Sequence, residues 1–336
     1  METLNREEWL NQLQSVQAGI SSKEVVEQSN CFVFHHGTVF TYNDEAACSC
    51  DSMCSISGAV QALPLLEILK KLKEEEVKIE VGEGELVIYG KKKKVGIRME
   101  RDILLPVDEA HPGDLTWKEL NPDFIEALSI VVPCCGKDES SFSMTCVHVH
   151  PKYVEACDNF QAIRYSVSIG IKSPVLLRKE SIKHIRELGM TEYGETDNWF
   201  HFKNPHGLIF SCRRYIESFP EMDSIYEVEG DSVVLPKSII SAAENAYLFA
   251  KDNTKDKVVV VTLRPGKVKI VGEGISGWYE EIKKSTYQGE SFSFTIDPKL
   301  LKSLVEKHNE FIISHNRIKV DGGKFVYITA LGEAND

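Results

Sequence analysis

The sequence predicts an α+β fold in which one kind of domain is repeated three times, each copy packing two helices on antiparallel sheets. Three observations predict it. A helix-then-hairpin unit occurs three times, and a second type of helix recurs at the same interval. The composition, 42% hydrophobic and 27% charged over 336 residues, can supply several buried cores.

The second helix type comes first along the chain. Trp9, Leu13, Val16 and Ile20 fall on one face of it. Its next copy starts at Asn121-Pro122 and aligns Phe124, Leu128 and Val131, and its third follows Leu235-Pro236 and aligns Ile239, Ala243 and Ala246. These starts, 6, 122 and 236, lie 116 and 114 residues apart. Proline suits a first helical turn, where its missing N–H has no partner to lose.

The helix-then-hairpin unit begins at Pro64, with Leu65, Leu66, Ile68, Leu69 and Leu72 as its apolar face. Val77–Val81 and Leu86–Tyr89 follow as strands joined through Gly82-Glu83-Gly84. Near Lys179 the helix is marked by Ile182, Ile185 and Leu188, and the strands by Trp199–Phe202 and Leu208–Phe210. At Pro298 the helix is marked by Leu300, Leu301, Leu304 and Val305, and the strands by Glu310–Ser314 and Lys324–Ile328. Starts at 64, 179 and 298 lie 115 and 119 residues apart. A shared period of roughly 115 residues is too long for a solenoid and fits domains at 1–106, 107–230 and 231–336.

Net charge is −12, which excludes a uniformly basic nucleic-acid binder but not one with a local cationic surface. Residues 64–73, 178–187 and 297–307 carry +2, +2 and +1, so the remainder of the chain carries −17. The other helix type adds little: Arg6, Glu7 and Glu8 give −1, Asp123 and Glu126 give −2, and Lys237, Glu244 and Lys251 give +1. The plain alternative is that these lysines solvate helix faces. Nine cysteines, an odd number, suit reduced thiols in a cytoplasm. The polar start Met1–Glu8 argues against a secretory signal, and no apolar run is long enough to span a membrane.

Several segments resemble the bacterial DNA polymerase III beta subunit, the sliding clamp, in series over nearly the whole chain. Arg6–Val16 is similar to the family's first helix, and Val154–Ala162 to its "ATDGHRL" segment. Phe210–Arg214 leading to Phe219–Met222 is similar to "FTSRLIDGRFPDY". Ser291–Leu304 is similar to "IGFNVRYLLDAL", and Phe325–Ile328 to the closing "YVVMPMR" strand. The resemblance implies a clamp-fold chain forming half of a six-domain ring, a head-to-tail homodimer around double-stranded DNA. It implies no catalysis and no cofactor, and it implies DNA polymerase and clamp loader as partners. With it, the DNA-facing residues would be Lys70, Lys71, Lys73, Lys179, Lys183, Arg186, Lys299 and Lys302, with Lys23 and Lys137 in loops where the family contacts DNA.

The family's partners dock a short peptide between the second and third domains. Carried over by position, that groove would include Met144, Cys157, Phe160, Ala162, Pro220, Ile225, Val326 and Ile328. The sequence departs from the family here. Asn159-Phe160-Gln161 replaces glycine-histidine-arginine, and Thr329-Ala330-Leu331 with a polar tail to Asp336 replaces methionine-proline-methionine. Such departures suit a divergent or phage-encoded member acting in the bacterial or host cytoplasm. An alternative role is a clamp-fold scaffold for repair or transcription factors.

Other constellations read as structural. Cys48, Cys50 and Cys54 lack the spacing of a zinc site and read as alternating strand cysteines. His148 and His150 read as an exposed pair with no third metal ligand. A hydrolase using Cys48, Cys50 and His148 is the remaining enzymatic alternative, although no triad or paired carboxylates support it. Gly82-Glu83-Gly84 and Gly272-Glu273-Gly274 read as hairpin turns, since neither enters a helix as a phosphate loop does. Lys91–Lys94 reads as nucleic-acid contact or as a charged strand edge that blocks aggregation, the second reading being the better.

Overall fold

A computed structural model describes residues 1–253, 257–314 and 316–330. It contains six α-helices: α1 (Arg6–Ser15), α2 (Ala62–Lys71), α3 (Pro122–Val131), α4 (Lys179–Glu187), α5 (Ile239–Ala250) and α6 (Pro298–Lys307). The odd-numbered helices start at 6, 122 and 239, which are 116 and 117 residues apart. The even-numbered ones start at 62, 179 and 298, which are 117 and 119 apart.

The strands keep the same rhythm. One precedes each odd-numbered helix, four separate the two helices of a repeat, and three follow the even-numbered helix, making 24 among the described residues. After α2 the three strands are Glu76–Val81, Glu85–Tyr89 and Lys94–Glu100. After α4 they are Glu192–Glu195, Trp199–Lys203 and Ile209–Arg213, and after α6 they are Glu310–Ile313, Arg317–Asp321 and Phe325–Ala330.

Local chemistry sets the helix ends. Asn5 caps α1 by accepting from the N–H groups of Glu7 and Glu8, and Asp297 caps α6 by accepting from those of Lys299 and Leu300. Pro64 sits inside the first turn of α2, two residues later than a proline start predicts, where its missing N–H is still dispensable. Before α5, Pro236 and Lys237 accept from Ile239 and Ile240 in a tight turn, so the α-helix proper begins at Ile239 rather than at 236. Helix α1 ends before Ile20, because the Thr41 hydroxyl donates to the Val16 carbonyl at 2.6 Å and a short 3₁₀ turn, Gln17–Gly19, follows.

The chain forms two compact units, each assembled from separated segments. The first unit joins Met1–Pro122 to Glu180–Tyr215, and the second joins Asp123–Lys179 to the chain from Ile216 on. In the first unit a 12-stranded sheet holds all eight strands of the first repeat. Its strand Ala46–Asp51 then accepts Ile209–Arg213, with Ser49 opposite Ile209 and Ala46 opposite Cys212. Trp9, Leu13, Phe32, Phe34, Leu65, Leu69, Trp199 and Phe210 are among its buried core side chains. Each such aliphatic or aromatic burial stabilises by about 1.5–3 kcal/mol.

The second unit has an eight-stranded and a four-stranded sheet. In the larger, Gln161–Ser166 pairs with Phe325–Ala330, with Ala162 opposite Ile328 and Arg164 opposite Val326. In the smaller, Gly277–Lys284, Lys267–Gly274, Val259–Arg264 and Phe292–Ile296 run in that order.

Two hairpin expectations change. Gly272-Glu273-Gly274 is not a turn; it ends strand Lys267–Gly274, and the turn is Ile275-Ser276. Its glycines answer to α5: a Cβ on Gly272 would lie 2.0 Å from the Ala246 carbonyl oxygen, and one on Gly274 2.1 Å from that of Phe249. In the third repeat, the expected strands Glu310–Ser314 and Lys324–Ile328 are not direct neighbours, because Arg317–Asp321 pairs between them. Gly82-Glu83-Gly84 does form a turn, with Gly84 at φ +74°.

Candidate functional site

A groove of about 400 Å³ opens in the second unit where Gln161–Ser166 meets Phe325–Ala330. The turn Asp158–Gln161 forms one side. The Asp158 carboxylate accepts from the backbone N–H groups of Phe160 and Gln161, both at 2.8 Å, and from the Gln161 amide at 3.1 Å. This turn leaves Phe160 71% exposed at the rim. Ala162, Ile225 and Ile328 line the interior. Beneath them Cys157, Ala162 and Met222 form a buried cluster against Met144, Phe219, Ile225 and Tyr226. Burial pushes the Cys157 thiol up to about 12, so it packs as a small apolar group.

An ion network holds the wall that carries Met222 and Ile225. Glu155, 2% exposed, accepts from Arg164 Nε at 2.8 Å and lies 2.7 Å from His148 Nδ1. Arg164 reaches on to Asp223 at 2.7 Å, with its guanidinium over Tyr153 at 4.0 Å and near Tyr226 at 5.0 Å. A carboxylate buried this deeply requires such partners. His148 and His150 are therefore not an exposed pair. His148 is tied to Glu155 and stacks on Phe219 at 4.8 Å, while His150 stacks on Tyr153 at 4.1 Å.

The groove gathers Phe160, Ala162, Ile225 and Ile328 from the expected set in its lining, with Met144 and Cys157 beneath. Pro220 is exposed and Val326 half-buried, and both lie outside that lining. Leu331 to Asp336 lie outside the described residues. In the first unit, Tyr42, Ala47, Leu105, Ala110 and Trp199 belong to one buried core cluster.

The expected cations separate into two groups. Lys23, Lys70, Lys73, Lys183, Arg186 and Lys299 are exposed, with no ion-pair partner among the described residues. Lys137 is exposed at the start of a loop. Three others are engaged: Lys71 with Glu67 at 3.5 Å, Lys302 with Glu244 at 2.7 Å, and Lys179 with the Gly136 carbonyl at 2.6 Å.

The cysteine run is structural. Cys48 is buried on strand Ala46–Asp51 with Cys50 beside it, and Cys54 is buried beyond the strand end. Burial pushes Cys48 up to about 12 and Cys50 up to about 11, so neither is a thiolate near neutral pH. No group of three or more candidate metal ligands occurs among the described residues.

No protein-family model and no curated protein matches the chain. Solved structures do. The DNA polymerase III beta sliding clamp of Pseudomonas aeruginosa, determined bound to griselimycin, superposes with a TM-score of 0.75 at 16% identity, over 98% of each chain. The beta subunit of Thermotoga maritima gives 0.74 at 15%, and the sliding clamp of Bacillus subtilis 0.73 at 15%, each over 99% of both chains. The chain has the bacterial sliding-clamp fold.

Coverage this complete takes in all three repeats of the clamp fold. At such identity the likeness is one of backbone, so roles for single residues rest on their surroundings here. Those surroundings add Met222, Asn316, Arg317 and Ala330 to the groove of this clamp fold. Met222 stands in a segment that the family resemblance already singled out. Arg317 was missed because its strand, although Ile318 and Val320 alternate with charges, is too short a run to stand out.

Proposed function

We propose that this chain is a DNA sliding clamp, a non-catalytic ring subunit that tethers a DNA polymerase and other partners to duplex DNA. The observation that carries the reading is the set of unpaired cations on the even-numbered helix of each repeat, in a clamp-fold chain of net charge −12. Lys70 and Lys73 on or just after α2, Lys183 and Arg186 on α4, and Lys299 on α6 would meet phosphates. Lysine and arginine aimed at the backbone attract any sequence by counterion release, which suits a protein that must slide. The acidic remainder limits adhesion elsewhere.

Internal repetition supports ring closure by two copies. In the first unit Ala46–Asp51 accepts the last strand of the next repeat, Ile209–Arg213. In the second unit Gln161–Ser166 likewise accepts Phe325–Ala330. The counterpart in the third repeat, Gly277–Lys284, ends its sheet. The counterpart last strand of the first repeat, Lys94–Glu100, is paired on its second side only at Met99 and Glu100. Joining these two edges head to tail between copies repeats the same step and covers both of them. On this reading each chain contributes clamp domains at 1–106, 107–230 and 231–336, half of a six-domain ring. Lys91–Lys94 then belongs to an interface between copies rather than to a bare strand edge.

The groove in the second unit would take an extended peptide of the polymerase and of the clamp loader, by aliphatic and aromatic anchors. The alternative, a ring that recruits repair or transcription factors, would use the same groove and is not favoured over this reading. A processivity assay with the cognate polymerase separates the two. The work is done on cytoplasmic DNA, and no described helix is long and apolar enough to cross a membrane.

The decisive experiment is retention on circular DNA. Lys183→Glu with Arg186→Glu, both exposed on α4, should shorten the lifetime of the loaded ring on the order of tenfold while leaving thermal unfolding nearly unchanged. Unchanged retention would count against the reading.

A further inference from the structure

The joints between repeats within the chain follow one register. Each accepting strand leaves a turn closed in the same way. Asn43 donates its N–H to the Ala46 carbonyl, and its side chain accepts from the N–H groups of Glu45 and Ala46. Asp158 likewise donates to Gln161, and its side chain accepts from Phe160 and Gln161. The arriving strand then ends on the turn, Arg213 donating to the Glu45 carbonyl and Ala330 to that of Phe160. In this frame Ala47 faces Ser211, and Ala162 faces Ile328. The two edges left open fit the same frame. The hairpin that continues into Gly277–Lys284 closes at Gly274 and Gly277 and sets Trp278 opposite Glu273, as Ala162 stands opposite Cys157. Gly90 donates to Lys93 as Gly322 donates to Phe325, which puts Gly96 in the place of Ile328.

We infer that two copies join in this register, with Trp278 of one opposite Gly96 of the other, Glu280 opposite Lys94 and Glu281 opposite Lys93. The register rests on the head-to-tail reading of the ring and adds the residues that meet. The stretch it uses, Lys93 to Ile97, stops short of Met99 and Glu100, the positions already paired on that side. Exposure supports it independently. Trp278, Glu280 and Ile282 form the exposed side of one edge, and Lys94, Gly96 and Arg98 that of the other. Tyr279 and Val95, which would face each other, are both half-buried. A slip of one residue would set each exposed side chain against an inward one. Gly96 does not have a positive φ, and a Cβ there would meet the flexible carboxylate of Glu85, so its own copy does not demand glycine. An indole across the joint accounts for it, because an aromatic side chain packs over a bare strand glycine. Lys94 and Arg98 would lie diagonal to Trp278, within reach of its ring face. Glu280 would stand between Lys269 of its own copy, 3.3 Å away, and Lys94 of the other.

The test is disulfide trapping in the full-length protein. In the joint within the second unit, Ala330 donates to Phe160 and Ser166 to Lys324, so the pair Tyr165 and Phe325 is one of the close pairs without hydrogen bonds. Glu281 and Lys93 would hold the equivalent places, with Cα atoms about 4.5 Å apart and inside disulfide reach. Glu281→Cys is combined in turn with Lys92→Cys, Lys93→Cys, Lys94→Cys and Val95→Cys. Cross-linked dimer on a non-reducing gel is scored above that of each single-cysteine variant, because the native Cys50 is half-buried. The Lys93→Cys pair should trap the dimer on the order of tenfold faster than the other three. Trp278→Ala should raise the dimer Kd on the order of tenfold and leave thermal unfolding unchanged. Fastest trapping with a cysteine at Lys92, Lys94 or Val95, or no trapping in a protein that has the dimer mass, would overturn the register and leave the ring. An unchanged Kd in Trp278→Ala would overturn the place given to that side chain. A monomeric unmutated protein would overturn the ring reading and the register with it.

Discussion

His201 has no accessible surface in the sheet of the first unit, and its ring is held at both ends. Nδ1 lies 2.7 Å from the Ser211 hydroxyl and Nε2 3.1 Å from that of Thr196. Burial, with the charge of His111 adding to it, holds the imidazole down from 6.5 to about 4. As pH falls through 6.5 the unfolded chain takes up a proton at this site that the folded chain refuses until about 4. Folding is therefore fully supported above 6.5 and weakens as pH drops towards 4. Between pH 7 and pH 5 the loss should be about 2 kcal/mol from this residue alone. Urea unfolding at the two pH values should show a smaller loss in His201→Gln. An equal loss in that variant would show that other groups carry the acid sensitivity. His148 instead stands against the buried carboxylate of Glu155, 2.7 Å from its Nδ1, and helps to hold the wall of the groove. Two histidines that look alike in sequence thus have unrelated roles, decided by strands that pair only in the fold.

Elements explain which features could be read in advance. The six helices were legible because proline or a capping residue marks several of their starts and apolar residues recur every three or four positions. Strands such as Val77–Val81 and Trp199–Phe202 were legible for their β-branched or aromatic runs. Glu192–Glu195 and Arg317–Asp321 were not. Glu192–Glu195 carries charge at both ends and little apolar content, while Arg317–Asp321 alternates but offers only Ile318 and Val320 as apolar positions, a run too short to stand out before pairing defines it. The groove was partly legible for a related reason. Its anchors Phe160, Ala162, Ile225 and Ile328 lie in segments with a family resemblance, but Arg317 reaches them only because Gln161–Ser166 pairs with a strand near the C-terminus. Gly272 looked like a turn residue and is a packing residue. An alanine there would drive its methyl into the Ala246 carbonyl of α5. Gly272→Ala should therefore destabilise the second unit by roughly 2–4 kcal/mol, measured by denaturant unfolding, whereas Gly84→Asn, in an open turn with positive φ, should cost less than about 1 kcal/mol. Equal costs would mean that α5 yields easily and does not fix the strand.

The proposed ring would close through the edges left by the repeat. Gly277–Lys284 presents Glu280 and Glu281 together with Lys283, Lys284 and the exposed Trp278 and Ile282; Glu280 lies 3.3 Å from Lys269, and Glu281 pairs with Lys283. The edge it would meet on a second copy begins with the run Lys91–Lys94. Opposed carboxylates and ammonium groups across paired strands contribute roughly 0.2–1 kcal/mol each, and like charges there oppose pairing by similar amounts. A head-to-tail dimer contains the contact twice, and Glu280→Lys with Glu281→Lys turns each edge of two carboxylates and two ammonium groups into one of four ammonium groups facing the run Lys91–Lys94. The dimer should loosen by roughly 2–4 kcal/mol, on the order of a hundredfold in Kd. The unmutated protein should have a solution mass near twice 37.9 kDa, and the double variant should move towards 37.9 kDa as it is diluted. Raising the salt should narrow the gap between them, since exposed charges are screened within about 10 Å at 0.1 M. If the double variant keeps the dimer mass at every dilution, the copies join through some other surface. If the unmutated protein is already a stable monomer, neither edge closes a ring, and the cations on α2, α4 and α6 would have to hold DNA without encircling it.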